Sequence, residues 1–165
     1  MNADRVATGA LCSPVSLVSP ARQGVPAADR ESTLLIVEDE PEILEPLAYS
    51  LRRQGYRVIE AVDGLAACRL IGNEQPDLVL LDLMLPDLDG WQVCEMLRRH
   101  PDETVAGTPL VMLTALGDPA QRRRGLALGA DAYLVKPCPI KELLQVVAEL
   151  IGRNRRSDWS ARQTV

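Results

Sequence analysis

Residues 78–91 read LVLLDLMLPDLDGW, and the first five of them decide the fold. Leu78-Val79-Leu80-Leu81 is an unbroken apolar run that stops at a carboxylate, Asp82. Three further runs end on polar residues. They are Leu34-Leu35-Ile36-Val37 before Glu38-Asp39, Leu110-Val111-Met112-Leu113 before Thr114, and Tyr133-Leu134-Val135 before Lys136-Pro137. Short apolar runs without alternation, bounded by Pro, Gly or Asp, read as strands buried on both faces of a parallel sheet. Ligands bind at the carboxyl edge of such a sheet, so the four polar endings are expected to converge there.

Helical patterns fill the intervals. Pro41 suits a first helical turn, and Ile43, Leu44, Leu47, Ala48 and Leu51 form a 3.6-period stripe that stops at Gly55. Pro46 lies inside that stripe, where it removes a backbone hydrogen bond. A strand at Arg57–Ala61 follows, then a helix from Gly64 to Ile71 that ends near Gly72. Further helices are predicted at Trp91–Arg99, stopped by Pro101, at Pro119–Leu128, capped by Gly129, and at Ile140–Ile151. A fifth strand is expected at Ala132–Val135. Five βα units in alternation predict an α/β protein, a doubly wound parallel five-stranded sheet with helices on both faces.

The chain has 165 residues, 47% hydrophobic and 25% charged, which suits one globular domain with short tails. Residues 1–31 carry Ser, Pro, Ala and Gly throughout and are expected to form a disordered or weakly ordered leader without the character of a secretory signal. Residues 32–152 form the expected domain, and 153–165 a basic tail that could not fold alone. Residues 32–151 hold eleven basic and nineteen acidic side chains, which argues against nucleic acid as a direct partner. No apolar stretch approaches a membrane span. Cys12, Cys68, Cys94 and Cys138 show no CxxC pair and read as reduced thiols of a cytoplasmic protein.

Glu38, Asp39 and Asp82 at one sheet edge repel one another and need a cation or raised pKa values. Mg²⁺, or Mn²⁺ in its place, suits oxygen donors of this kind. Asp82 is then a candidate nucleophile, because a carboxylate can accept a phosphoryl group as an acyl phosphate once positive charge is at hand. Lys136 supplies a compact cation and Thr114 a hydroxyl able to bond a phosphoryl oxygen. The Lys136-Pro137 bond can be cis far more readily than a non-proline bond.

With LLIVEDEP at 34–41, LVLLDLMLPDLDGW at 78–91, VMLTA at 111–115 and GADAYLVKP at 129–137, the chain resembles the receiver domain of two-component response regulators over residues 33–152. The resemblance implies a flavodoxin-like (βα)5 fold and phosphoryl transfer from a sensor histidine kinase, or a phosphotransfer protein, onto Asp82. It also implies that Glu38 and Asp39 are the acidic metal pair, that the backbone carbonyl of Met84 completes the Mg²⁺ site, and that Thr114 and Lys136 sense the phosphoryl group. Tyr133 takes the place of the aromatic switch that turns inward on activation. Glu38 stands where Asp is commoner, and Cys138 where an aromatic usually follows Lys-Pro. His100 is the sole histidine and reads as a solvated helix end, so the phosphodonor must come from another chain.

The sequence therefore predicts a stand-alone receiver, not an enzyme beyond its own Mg²⁺-dependent phosphorylation and dephosphorylation, with no output domain. The alternatives are a receiver-like adaptor that binds without phosphorylation and an aspartyl-phosphate hydrolase of the haloacid-dehalogenase type. The hydrolase wants a second Asp where Met84 stands. Output is expected through a downstream protein at the face of the fourth predicted helix, fifth strand and fifth helix. In the similar receivers of winged-helix regulators this face pairs two copies through salt bridges. Here it bears Arg122, Arg123 and Arg124 with Asp131 and Glu142 as candidate counterparts, but Ala132 and Val146 stand where that subfamily tends to place charges, so a monomer or a weak, salt-sensitive dimer is predicted. Met84 and Leu116, two residues beyond Asp82 and Thr114, overhang the approach of water. Being apolar, they predict a long-lived phospho-Asp82.

Overall fold

The computed structural model describes residues 31–162, with side chains as far as residue 154. All of the expected leader except Glu31 lies outside the described residues. The elements are β1 (Thr33–Val37), α1 (Pro41–Arg53), β2 (Arg57–Ala61), α2 (Gly64–Glu74), β3 (Leu78–Leu81) and α3 (Gly90–Arg98). They continue with α4 (Glu103–Ala106), β4 (Leu110–Thr114), α5 (Pro119–Ala127), β5 (Ala132–Val135) and α6 (Ile140–Arg162). The strands form one parallel sheet in the order β2-β1-β3-β4-β5.

Side chains alternate between two cores, which explains why the strands show no polar alternation. Leu34, Ile36, Leu78, Leu80, Val111 and Leu113 meet the stripes of α1 and α6, while Leu35, Val37, Val79, Leu81, Leu110 and Met112 meet α2 and α3. Among the described residues no helix is long and apolar enough to cross a membrane.

The structure departs from the sequence reading in three elements. Helix α2 runs past Gly72 to Glu74, because Gln75 rather than the glycine takes the left-handed cap, at φ 45°. The polar loop after Pro101 contains the short helix α4, started by the Asp102 carboxylate, which accepts the Thr104 N–H at 2.8 Å. Helix α6 continues past Ile151 to Arg162, so most of the expected basic tail is helical backbone.

One side chain ties down a corner of the fold. Arg98 at the end of α3 donates to the carbonyls of Gly129 (2.9 Å), Ala106 (2.8 Å) and Thr108 (2.8 Å), and to the Asp131 carboxylate (3.1 Å). Asp131 also accepts the Leu110 N–H at 2.9 Å. It is thus engaged within its own chain rather than held out for the arginines of α5.

Candidate functional site

The sheet order reverses at β1, with β2 on one side and β3 on the other, and the crevice opens beyond the carboxyl ends there. Val37 pairs with Leu81, so Glu38 and Asp82 leave adjacent strands side by side. Ligand atoms of Glu38, Asp39 and Asp82 all lie within 4.8 Å of one another. Glu38 and Asp82 are buried and Asp39 is exposed.

Lys136 reaches this trio from the far side of the sheet. Its Nζ donates to Glu38 Oε2 at 2.6 Å and to Asp82 Oδ2 at 2.8 Å. Burial works to lower the Lys136 pKa, but the hydrogen bonds and charges of Asp82 and Glu38 outweigh it and hold the ammonium above its ordinary value. For Glu38 burial dominates in the other sense. It raises the carboxyl above the usual range, with Asp82 adding to the rise and the shared Lys136 only partly offsetting it.

Three carboxylates against one ammonium leave an excess of negative charge in a largely buried pocket, and this donor set fits a hard divalent cation. The backbone beside Asp82 is fixed by two contacts. Met84 donates its N–H to Asp82 Oδ1 at 3.2 Å, and Gly90 N–H donates to the Leu83 carbonyl at 3.1 Å. A Cβ on Gly90 would fall 2.3 Å from the Asp82 carbonyl oxygen, so only glycine lets α3 begin this close to the site. The Met84 side chain itself is 62% exposed.

Thr114 ends β4, fully buried, beside Val135 in the β4–β5 register, and the Lys136-Pro137 bond is cis. The Thr114 hydroxyl oxygen accepts the Leu116 N–H at 3.2 Å. The Leu116 carbonyl in turn accepts the Tyr133 hydroxyl at 2.6 Å. A single residue, Leu116, therefore links Thr114 to Tyr133, a connection that sequence reasoning missed because it runs through backbone atoms. Tyr133 is 3% exposed, so the inward position of the ring is the one seen here. Leu116 is half-buried, and its side chain packs on the core below.

The arginines of α5 do not form one set. All three are exposed, but Arg124 lies over the Trp91 ring of α3, 4.4 Å from its centroid. His100 is half-exposed after α3 and accepts the Asp102 N–H through Nδ1 at 3.1 Å, away from the site. Cys68, Cys94 and Cys138 are free thiols, and Cys12 lies outside the described residues.

The model of the response regulator receiver domain matches residues 34–148. The chain belongs to the response-regulator receiver family. Its curated relatives include the DNA-binding dual master transcriptional regulator RpaA of Synechocystis, 43% identical over 79% of this chain and 54% of RpaA. Response regulator MprA of Mycobacterium ulcerans is 39% identical over 80% of this chain and 55% of MprA. The chain spans about half the length of the curated relatives it matches. Among solved structures, the chemotaxis response regulator CheY4 of Vibrio cholerae is 27% identical over 73% of this chain and 99% of its own, with TM-score 0.68. The receiver domain of sensor histidine kinase PA1611 from Pseudomonas aeruginosa, with a magnesium ion coordinated in its active site cleft, is 32% identical over 74% of this chain and 99% of its own, with TM-score 0.67. The receiver fold is flavodoxin-like, as expected.

These relatives correct one expectation. The sequence reading excluded direct DNA binding and an output domain, whereas RpaA is a DNA-binding regulator by name. The exclusion rested on the acidic charge of the receiver, which says nothing about the other half of a longer regulator, and on where the chain stops. The exclusion of direct DNA binding is withdrawn.

Proposed function

We propose that this receiver accepts a phosphoryl group on Asp82 from a phosphohistidine of a sensor kinase or phosphotransfer protein, and switches a binding face in response. The observation that carries this reading is the ammonium of Lys136 held 2.8 Å from the Asp82 carboxylate, with Glu38 and Asp39 alongside. A carboxylate oxygen of Asp82 attacks phosphorus, the phosphorus–nitrogen bond breaks, and its electron pair returns to the imidazole. Lys136 stays paired with Asp82 and offsets the charge that builds on the phosphoryl oxygens. A Mg²⁺ held by Glu38, Asp39 and Asp82, with the Met84 carbonyl as a fourth protein donor, would neutralise the remaining negative charge.

Thr114 is the hydroxyl placed to follow the phosphoryl group. If it turns toward Asp82 it releases the Leu116 N–H, and the segment that anchors Tyr133 moves with it. The readout face is then α5, β5 and the start of α6, through a protein contact in the stand-alone reading. The names of the relatives favour a second output, control of transcription by a longer regulator. In neither case is the receiver an enzyme beyond turnover of its own phosphate, and a cytoplasmic site of action follows from its phosphodonor.

The test is modification by acetyl phosphate, followed by intact mass. One phosphoryl group should be added only with Mg²⁺, and Asp82→Asn should abolish it. Addition that survives Asp82→Asn would overturn the assignment, and no addition to the wild type would favour a phosphorylation-independent adaptor. A pull-down with phosphorylated against unphosphorylated protein, scored for protein and for promoter DNA, separates the two outputs.

A further inference from the structure

Helix α5 carries almost no means of attachment to the sheet. Of its nine residues, PAQRRRGLA, the only buried one is Gly125. Glycine in a helix interior costs about 0.5–1 kcal/mol relative to alanine, so a buried one needs a reason. Conformation does not supply it, because Gly125 is not among the positive-φ glycines, Gly55 and Gly129. Space does. A Cβ at residue 125 would lie 2.7 Å from Met112 Sδ and 3.0 and 3.3 Å from Cδ2 and Cε2 of Tyr133.

The two neighbours differ in what they can do under pressure. Met112 is fully buried on the inner strand β4, enclosed by close-packed core. Tyr133 lies on β5, the edge strand with a neighbour on one side only, and a single hydrogen bond, to the Leu116 carbonyl, ties its hydroxyl in place. From this geometry we infer that Gly125 is a positioning residue for Tyr133. The bare backbone of α5 at residue 125 is the seat of the inward ring, so the ring and the close approach of α5 form one state. A side chain at residue 125 sets the ring outward. The inference rests on the proposed reading only in giving Tyr133 a regulatory task; the packing relation stands by itself.

The test uses the full 165-residue chain with 3-fluorotyrosine at its three tyrosines, the Tyr133 resonance being assigned by its loss in Tyr133→Phe. Gly125→Ala should shift the Tyr133 resonance toward its solvent-exposed position and raise its solvent isotope effect, leaving Tyr49 and Tyr56 unmoved. The melting temperature supplies a sign. In the native background Gly125→Ala should lower it, whereas in a Tyr133→Ala background, where the space left by the ring lets Met112 Sδ move clear of the new Cβ, the same change should raise it by roughly 2–4 °C. Equal losses in both backgrounds would mean that Met112 alone fills the seat, and an unmoved Tyr133 resonance in a folded Gly125→Ala protein would likewise overturn the inference. Should Gly125→Ala fail to fold, recovery of folding with Tyr133→Ala supports it and failure of the pair refutes it. Acetyl phosphate then separates the two claims. A Tyr133 resonance that Gly125→Ala moves and phosphorylation does not would sink the switch reading and leave the seat intact.

Discussion

Helices α1 and α5 flank the same sheet, yet they are held to it by different means. Helix α1 inserts Leu44, Leu47, Ala48 and Leu51, all buried, into the core beneath β1 and β3. Helix α5 offers a glycine, and depends on an arginine laid over Trp91 and a tyrosine hydroxyl in the loop before it. The strands that carry Glu38 and Asp82 are therefore clamped, while the element beyond Thr114 rests on a few replaceable contacts. Local stability follows the density of buried apolar contacts, so α5 belongs among the parts that open first. A receiver needs both properties: acidic groups that hold still and a face that does not.

The strongest challenge to that contrast is a cut into α1. Leu51→Ala removes a fully buried side chain and should cost about 2–5 kcal/mol in urea unfolding, whereas Leu126→Ala on α5 should stay within about 0.5 kcal/mol. Comparable losses would erase the distinction.

Lys136 is the stitch between the two halves, from the end of β5 to β1 and β3, and Lys136→Met should cost about 1.5–3 kcal/mol at neutral pH through two lost charged hydrogen bonds. Added Mg²⁺ should restore part of that loss. If urea midpoints do not move, the ammonium is a bystander.

Tyr133→Phe is the next smaller effect, about 1 kcal/mol for the lost bond to Leu116, and it carries a pH signature. Burial, with Asp118 adding to it, holds the Tyr133 phenol above its ordinary value of 10.0. Above pH 10 the unfolded chain releases this proton while the folded chain keeps it, so stability falls as pH rises toward the folded value. Unfolding midpoints measured on both sides of pH 10 should drop more steeply for the wild type than for Tyr133→Phe. Parallel curves would place the ring in water.

The smallest effect is that of Arg124→Ala. It should cost about 0.5–1 kcal/mol and change the Trp91 emission, while Arg123→Ala does neither. An unchanged Trp91 signal would leave α5 with even less support than the structure gives it.

The clamped half was legible in the sequence and the looser half was not. Strands buried on both faces declare themselves as apolar runs, and a run that ends on Asp82 or Lys136 puts that residue at the sheet edge whatever else the chain does. Glu38 and Asp82 meet because register sets them side by side, and Lys136, beyond β4 on the edge strand, meets them through the length of its side chain. Helix α4 was hidden because four residues are too few for periodicity to speak. The end of α2 was misread because a glycine at residue 72 looked like a stop, while Gln75 took the strained conformation instead. The pairing of Asp131 with Arg98 and of Arg124 with Trp91 spans more than thirty residues each, and charge patterning along the chain cannot choose among partners at that distance.

Arg98 has a consequence for how this sequence can drift. One guanidinium serves three carbonyls and a carboxylate from separate stretches of chain, using a planar fork of donors. Lysine gathers three donors at a single point and cannot face four acceptors spread around the fork. A lineage that passes through lysine at residue 98 must first remodel two turns. Its neighbour Arg99, 81% exposed and 3.8 Å from Glu95, can wander freely. Two adjacent arginines of equal charge therefore differ in what can replace them: the first needs its fork, the second only its solubility.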